Sequence, residues 1–138
     1  MRRLAQAASL DVEVDSCGIG GWHTGEPPDP RTVRHAHVRG YDLSSLRARK
    51  IAVADFVFFD RIYAMDQSHL RDLVRLAPEL HRAKVSLLLD VLADPTGEVG
   101  PGREVPDPYY GGAEGFEHVL DLVEQACRAI VAELAARR

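Results

Sequence analysis

An aspartate flanked by prolines, Val105-Pro106-Asp107-Pro108, is followed at once by Tyr109-Tyr110-Gly111-Gly112. Proline fixes its own φ and restricts the residue before it, so Asp107 has few backbone options and a defined direction. A carboxyl group fixed beside two aromatic rings has the parts of a general acid for an aromatic leaving group. The same residues also make an ordinary surface Asp-Pro turn with two tyrosines packed beneath it. Taken alone, the stretch leaves both readings open.

A second candidate is the glycine-rich run Cys17-Gly18-Ile19-Gly20-Gly21-Trp22-His23-Thr24-Gly25, which holds the only tryptophan. A tryptophan in such a loop either covers core or flanks a flat ligand. The run lacks the Gly-Lys-Ser/Thr ending of a phosphate-cradling P-loop, and no Gly-x-Ser-x-Gly nucleophile elbow occurs in the chain. His35 and His37 lie two apart on a predicted helix and point to different sides, and the other histidines are scattered. No metal site and no cofactor are expected from them. Cys127 falls on an apolar helical stripe and reads as core. Cys17 has no arginine or lysine close in sequence to lower its pKa.

These groups must be carried by a chain of 138 residues, 46% hydrophobic and 28% charged, which reads as one globular domain over residues 1–138. A formal net charge of −4 argues against a nucleic-acid partner. No apolar run is long enough to span a bilayer, so no membrane partner is expected. Two cysteines far apart form neither a disulfide framework nor a metal pattern, and a reducing cytoplasm is the simplest setting.

Several elements can position the candidates. Leu4, Ala7 and Ala8 make a short helical stripe that starts at Met1 without a capping residue. Val12-Glu13-Val14-Asp15-Ser16 alternates and predicts a strand. Asp29 and Pro30 suit the start of a helix running to about Arg39 and stopped by Gly40. Its thin apolar face, Val33 and Ala36 with His37 or Val38, places it on the surface. Arg47, Arg49 and Lys50 read as a solvated basic connection. Residues 51–60 suit either a short helix or a strand, and the helix is preferred because Arg61-Ile62-Tyr63-Ala64-Met65 directly after them reads as a buried strand. Asp66 caps a helix with Leu70, Leu73, Val74 and Ala77 on one face, ended by Pro78. Lys84-Val85-Ser86-Leu87-Leu88-Leu89 predicts a strand covered on both sides, and residues 90–104 a Pro/Gly-rich loop. Phe116, Val119, Leu120, Val123, Ala126, Cys127, Ile130 and Leu134 mark one long final helix. This alternation predicts an α/β fold: a parallel sheet flanked by helices on both faces.

From Val12 onward the chain resembles the low-molecular-weight protein tyrosine phosphatases. The resemblance rests on Val14-Asp15-Ser16 with Gly20-Gly21-Trp22-His23, on Gly25-Glu26-Pro27-Pro28-Asp29-Pro30-Arg31, and on Ala64-Met65-Asp66 with Leu70-Arg71-Asp72-Leu73. Val105-Pro106-Asp107-Pro108-Tyr109-Tyr110-Gly111 looks like the family's general-acid loop. The resemblance implies that Asp107 is the acid, that Trp22 and Tyr109 line an aromatic slot, and that Ser16 supports the phosphate loop. It implies a phosphotyrosine protein or a small aryl phosphate as substrate of the complete enzyme.

These enzymes place a Cys-x5-Arg loop after their first strand. Here the residues six after Cys17 and Cys127 are His23 and Glu133. The expectation is therefore an N-terminally truncated member that begins inside the first helix and lacks the first, central strand. The missing strand would lie between the Val12 and Ile62 strands, and its loss predicts low stability. Without nucleophile or phosphate cradle, this polypeptide is expected to be inactive. The alternative is a non-catalytic pseudophosphatase or binding module on the same fold.

Overall fold

Three helices start where the chain supplies a carboxylate for their unpaired N–H groups. Asp29 accepts from the Arg31 N–H at 2.8 Å and opens α2 (Pro30–Val38), with Pro30 at its first position. Asp55 reaches back to the Ala52 N–H at 2.7 Å at the start of α3 (Val53–Phe58). Asp66 accepts from the His69 N–H at 2.8 Å and opens α4 (Gln67–Leu76). Two more helices, α1 (Arg2–Ala7) and α5 (Ala113–Ala136), begin without a side-chain cap. The computed structural model describes residues 1–92, 104–106 and 112–137.

Helix α2 ends as its sequence requires. Gly40 adopts φ +87°. The Gly40 N–H then donates to His37 and the Tyr41 N–H to Ala36, both at 2.9 Å. This pair of bonds is a Schellman ending, which needs the left-handed residue that glycine supplies.

Strands β1 (Ile62–Ala64) and β2 (Val85–Leu87) pair in parallel, with Tyr63 opposite Ser86 and Ala64 opposite Leu87. Alternation along both strands divides their side chains between two cores. On one face Ala64 and Leu87 pack with Phe56, Leu73 and Ala77 from α3 and the α4 end. On the other, Tyr63 packs against a cluster of Leu88, Leu89, Leu122, Ala126 and Ile130 built on α5. Met1, at the head of α1, joins this second cluster. The predicted α/β arrangement, a parallel sheet with helices on both faces, is thus present.

Two strand predictions need correction. Residues 12–16 do not join the sheet, which is two-stranded among the described residues. Alternation favours a strand, but a strand also needs a neighbouring backbone edge. The Val14 carbonyl instead accepts two N–H groups from the Arg2 side chain, at 2.9 and 2.6 Å. The only nearby pairing among the described residues is an isolated parallel bridge, Gly18 with Lys50. The second strand is shorter than the apolar run that predicted it. After Leu87 the chain turns into a 3-10 helix, Leu88–Leu92, which carries Leu88 and Leu89 into the α5 core. In the short helix α1 the buried residue is Ala5, not the predicted Leu4, Ala7 and Ala8 stripe.

Candidate functional site

The tryptophan loop is closed at its base. Gly18 donates to the Arg49 carbonyl and accepts from the Ile51 N–H, both at 2.8 Å. At the other end, Gly25 donates to Ala48 at 2.7 Å and Ala48 donates to Glu26 at 2.9 Å. Four backbone bonds therefore fix residues 18–26 to the segment 48–51. Inside the loop, the Thr24 hydroxyl donates to the Gly21 carbonyl at 2.9 Å, and His23 Nδ1 meets Glu26 Oε2 at 2.9 Å. Gly25 takes φ +84°, which closes the loop.

Trp22 is 87% exposed. Its ring lies directly over Gly20, so close that a methyl group on Gly20 would overlap it. Of the two readings open for this tryptophan, a lid over core is ruled out, and the ring stands free on a rigid base. Ser16, the other candidate on this side, is also exposed, and its N–H donates to Asp15 Oδ1 at 2.8 Å.

Arg49 is not the solvated cation its neighbourhood in sequence predicted. It binds Asp55 through Nη1 and Nη2, both at 3.0 Å, and Asp15 through Nε at 3.1 Å. The Arg49 hydrogen bonds hold the Asp55 carboxyl below the usual carboxylate range. Cys17 lies beside this cluster. Its residue surface is largely exposed, yet the protein around Sγ removes enough water to push the thiol up. Arg49 opposes that rise, but its charge is shared with Asp55 and Asp15, which act the other way. Cys17 is thus a thiol rather than a poised thiolate.

The approach to the general-acid motif is anchored at the carboxyl end of β1. The Val105 N–H donates to the Met65 carbonyl at 2.8 Å, and Glu104 Oε2 accepts from the Gln67 N–H at 2.7 Å. Ligand sites in open α/β sheets lie at this end of the strands. Asp107 and Tyr109 themselves lie outside the described residues, as do Pro108, Tyr110 and Gly111. The chain re-enters at Gly112, immediately before α5. Among the described residues, no group of three His, Cys, Asp or Glu side chains could hold a metal ion. An open cleft of about 360 Å³, lined by Arg2, Val12, Val14, Asp15 and Phe59 among others, does not include Trp22 or Ser16.

Sequence reasoning missed the Arg49–Asp55 pair and the contact of α2 with α5, in which Arg39 Nε donates to Glu117 Oε2 at 3.2 Å. The first had a local signal, since the two residues are six apart in sequence and Asp55 stands at the third position of α3, where an acid commonly reaches back to the helix start. The second joins residues about eighty apart in sequence and had none.

The comparisons agree with this architecture. The family model described as low molecular weight phosphotyrosine protein phosphatase matches residues 1–138. A low molecular weight protein-tyrosine-phosphatase of Streptomyces coelicolor is 47% identical over 122 residues, covering 88% of this chain and 72% of that protein. A low molecular weight phosphotyrosine protein phosphatase of Schizosaccharomyces pombe is 47% identical over 118 residues, covering 83% and 72%. Among solved structures, a protein tyrosine phosphatase from Entamoeba histolytica with Hepes in its active site superposes with a TM-score of 0.85 at 32% identity, covering 96% of this chain and 83% of that one. YfkJ from Bacillus subtilis gives 0.85 at 32% identity, covering 99% and 83%. The chain belongs to the low molecular weight phosphotyrosine protein phosphatase family. The family match starts at residue 1, so it gives no support to the expectation of a truncated start. No arginine stands six residues after Cys17 or Cys127.

Proposed function

We propose that this chain supplies the acid side of phosphotyrosine monoester hydrolysis. In this reading Asp107 is the general acid, Trp22 and Tyr109 are the walls of an aromatic slot, and Ser16 supports the phosphate-binding loop. The substrate of the complete catalytic unit is a phosphotyrosine protein or a small aryl phosphate, and no cofactor takes part. As sulfur attacks phosphorus and the P–O bond to the phenol breaks, Asp107 passes its proton to the leaving oxygen. The observation that supports the reading is the bond from the Val105 N–H to the Met65 carbonyl at the carboxyl end of β1, two residues before Asp107 in sequence. The free thiols of Cys17 and Cys127 fit a reducing compartment such as the cytoplasm.

The nucleophile is a separate matter. With His23 and Glu133 where a Cys-x5-Arg loop would need arginine, the 138-residue polypeptide has no such loop to hold the phosphate oxygens. Most transition-state stabilisation in phosphoryl transfer comes from positioning and charge, so the isolated polypeptide is inactive in this reading. Steady-state assay of the purified chain with p-nitrophenyl phosphate tests this, and no turnover is expected. Turnover that Asp107→Asn abolishes would overturn the inactivity. A fusion carrying a strand and a Cys-x5-Arg loop ahead of Met1 tests the acid. There Asp107→Asn should lower kcat roughly 10²- to 10⁴-fold, and an unchanged kcat would refute the role.

A further inference from the structure

The Asp15 carboxylate is shared between two partners. Its Oδ1 accepts the Ser16 N–H at 2.8 Å, and its Oδ2 accepts from Arg49 Nε at 3.1 Å. The backbone at Ser16 is therefore tied to the guanidinium through a single carboxylate. Arg2 is the other cation beside Asp15, at 3.8 Å, but its hydrogen bonds go to the Val14 carbonyl.

Arg49 also stands at the base of the tryptophan loop. Its own carbonyl accepts the Gly18 N–H, while Ala48 and Ile51 on either side bond to Gly25, Glu26 and Gly18. These backbone bonds join two largely exposed segments to each other, and something else must join them to the body of the molecule. Ile19 and Ile51 pack against the core around Phe56, but apolar contact has no direction and does not fix an orientation. The directional tie is the two-pronged bond from Arg49 to Asp55, both arms at 3.0 Å. Paired bonds of this kind fix the plane of the guanidinium as well as its distance. Asp55 is itself held, because its Oδ2 also accepts the Ala52 N–H and its neighbour Phe56 is fully buried.

We propose that Arg49 and Asp55 are positioning residues for the candidate site. Anchored on α3 through Asp55, Arg49 sets the placement of Ser16 by way of Asp15, and that of Trp22 by way of the base of its loop. What this placement does for an aryl phosphate rests on the reading of Ser16 and Trp22 given above.

NMR of the full chain tests it, with Asp55→Asn and the milder Arg49→Lys as variants. Asp66→Asn, which removes the carboxylate that accepts the His69 N–H at the start of α4, is the control for a general loss of stability. In both variants the Gly18 and Gly25 amides should exchange about tenfold faster relative to the amides of β1 and β2. The Ser16 amide and the Trp22 indole N–H should also shift, although Asp55 is bonded to neither residue. The control should leave the relative exchange and both shifts as in the parent. Exchange at Gly18 and Gly25 that rises only in step with β1 and β2 would overturn the proposal. So would unmoved Ser16 and Trp22 signals, or the same response in Asp66→Asn. If Asp55→Asn does not fold, Arg49→Lys alone decides by the same criteria. No turnover enters this measurement, so its failure would leave the roles of Asp107, Ser16 and Trp22 standing. Failure of the acid role in the fusion assay would likewise leave the anchoring by Arg49 standing.

Discussion

Arg49 grips both carboxylate oxygens of Asp55, Nη1 to Oδ2 and Nη2 to Oδ1, each at 3.0 Å. The remaining Nε reaches Asp15 at 3.1 Å. One guanidinium thus joins the segment before the tryptophan loop, the segment behind it, and the first turn of α3. The Asp55 side chain is only 14% exposed, so little solvent screening weakens the pair. Asp55→Asn should lower stability by about 2 kcal/mol, the cost typical of removing one charged partner of a hydrogen-bonded pair. Arg49→Lys should also destabilise, because an ammonium cannot reproduce the two-pronged contact. Urea unfolding followed by circular dichroism measures both.

The same pair gives a pH dependence with a definite sign. Asp55 is held below its ordinary value of 3.8, chiefly by Arg49. Asp66 is held below it too, chiefly by the His69 N–H. For a carboxyl whose folded pKa is depressed, the unfolded chain takes up protons first as the pH falls. The stabilisation is therefore complete above the unfolded value and disappears as the pH drops through the folded one. The urea midpoint should show little loss from these two groups between neutrality and about pH 5, then fall below about pH 4. Asp55→Asn should make the acid limb shallower. An acid limb as steep in that variant as in the parent would remove Asp55 from the explanation.

Gly40→Ala should be costly at a position that is only a helix stop. The residue holds φ +87°, and an added methyl group would also meet the Arg3 guanidinium, which donates to the Arg39 and Gly40 carbonyls. Left-handed backbone costs an alanine about 1–2 kcal/mol, and displacement of Arg3 adds to it. Thermal unfolding of the variant against Gly25→Ala separates the contributions, since Gly25 is also left-handed but has open space around it.

Gly20→Ala should leave stability nearly unchanged and alter Trp22. The methyl group would fall within the indole, which is the free end of an exposed side chain and can swing away. Trp22 is the only tryptophan, so near-ultraviolet circular dichroism and fluorescence anisotropy report on it alone. A variant with unchanged tryptophan signals would show that the ring does not rest on Gly20.

Chemistry confined to a few neighbouring residues was legible in the sequence. Asp29 with Pro30, Asp66, and Gly40 all mark the helix boundaries they were expected to mark, because caps and stops are local hydrogen-bond problems. The apolar spacing of residues 116–134 likewise gave the last helix, apart from the buried Leu122. The ordered motifs pointed to the family that the comparisons then established. What stayed hidden depends on distant partners. The alternation of residues 12–16 says which faces a strand would have, but not whether a neighbour is there to pair with. The exposure of Trp22 depends on a loop base formed with residues 48–51. The Arg39–Glu117 contact spans 78 residues, and no periodicity carries it.

The bonds from Arg2 to the Val14 carbonyl have a meaning beyond the fold of one molecule. An extended, alternating segment with an open backbone is a template on which a second chain can add a strand. Arg2 fills the middle carbonyl of that segment and sets a positive charge beside it. A cation placed at an unpaired backbone is the device by which sheet edges are kept from pairing with another chain, and here Asp15 lies 3.8 Å from the same guanidinium. Removal of this one side chain would leave that carbonyl without its Arg2 partner.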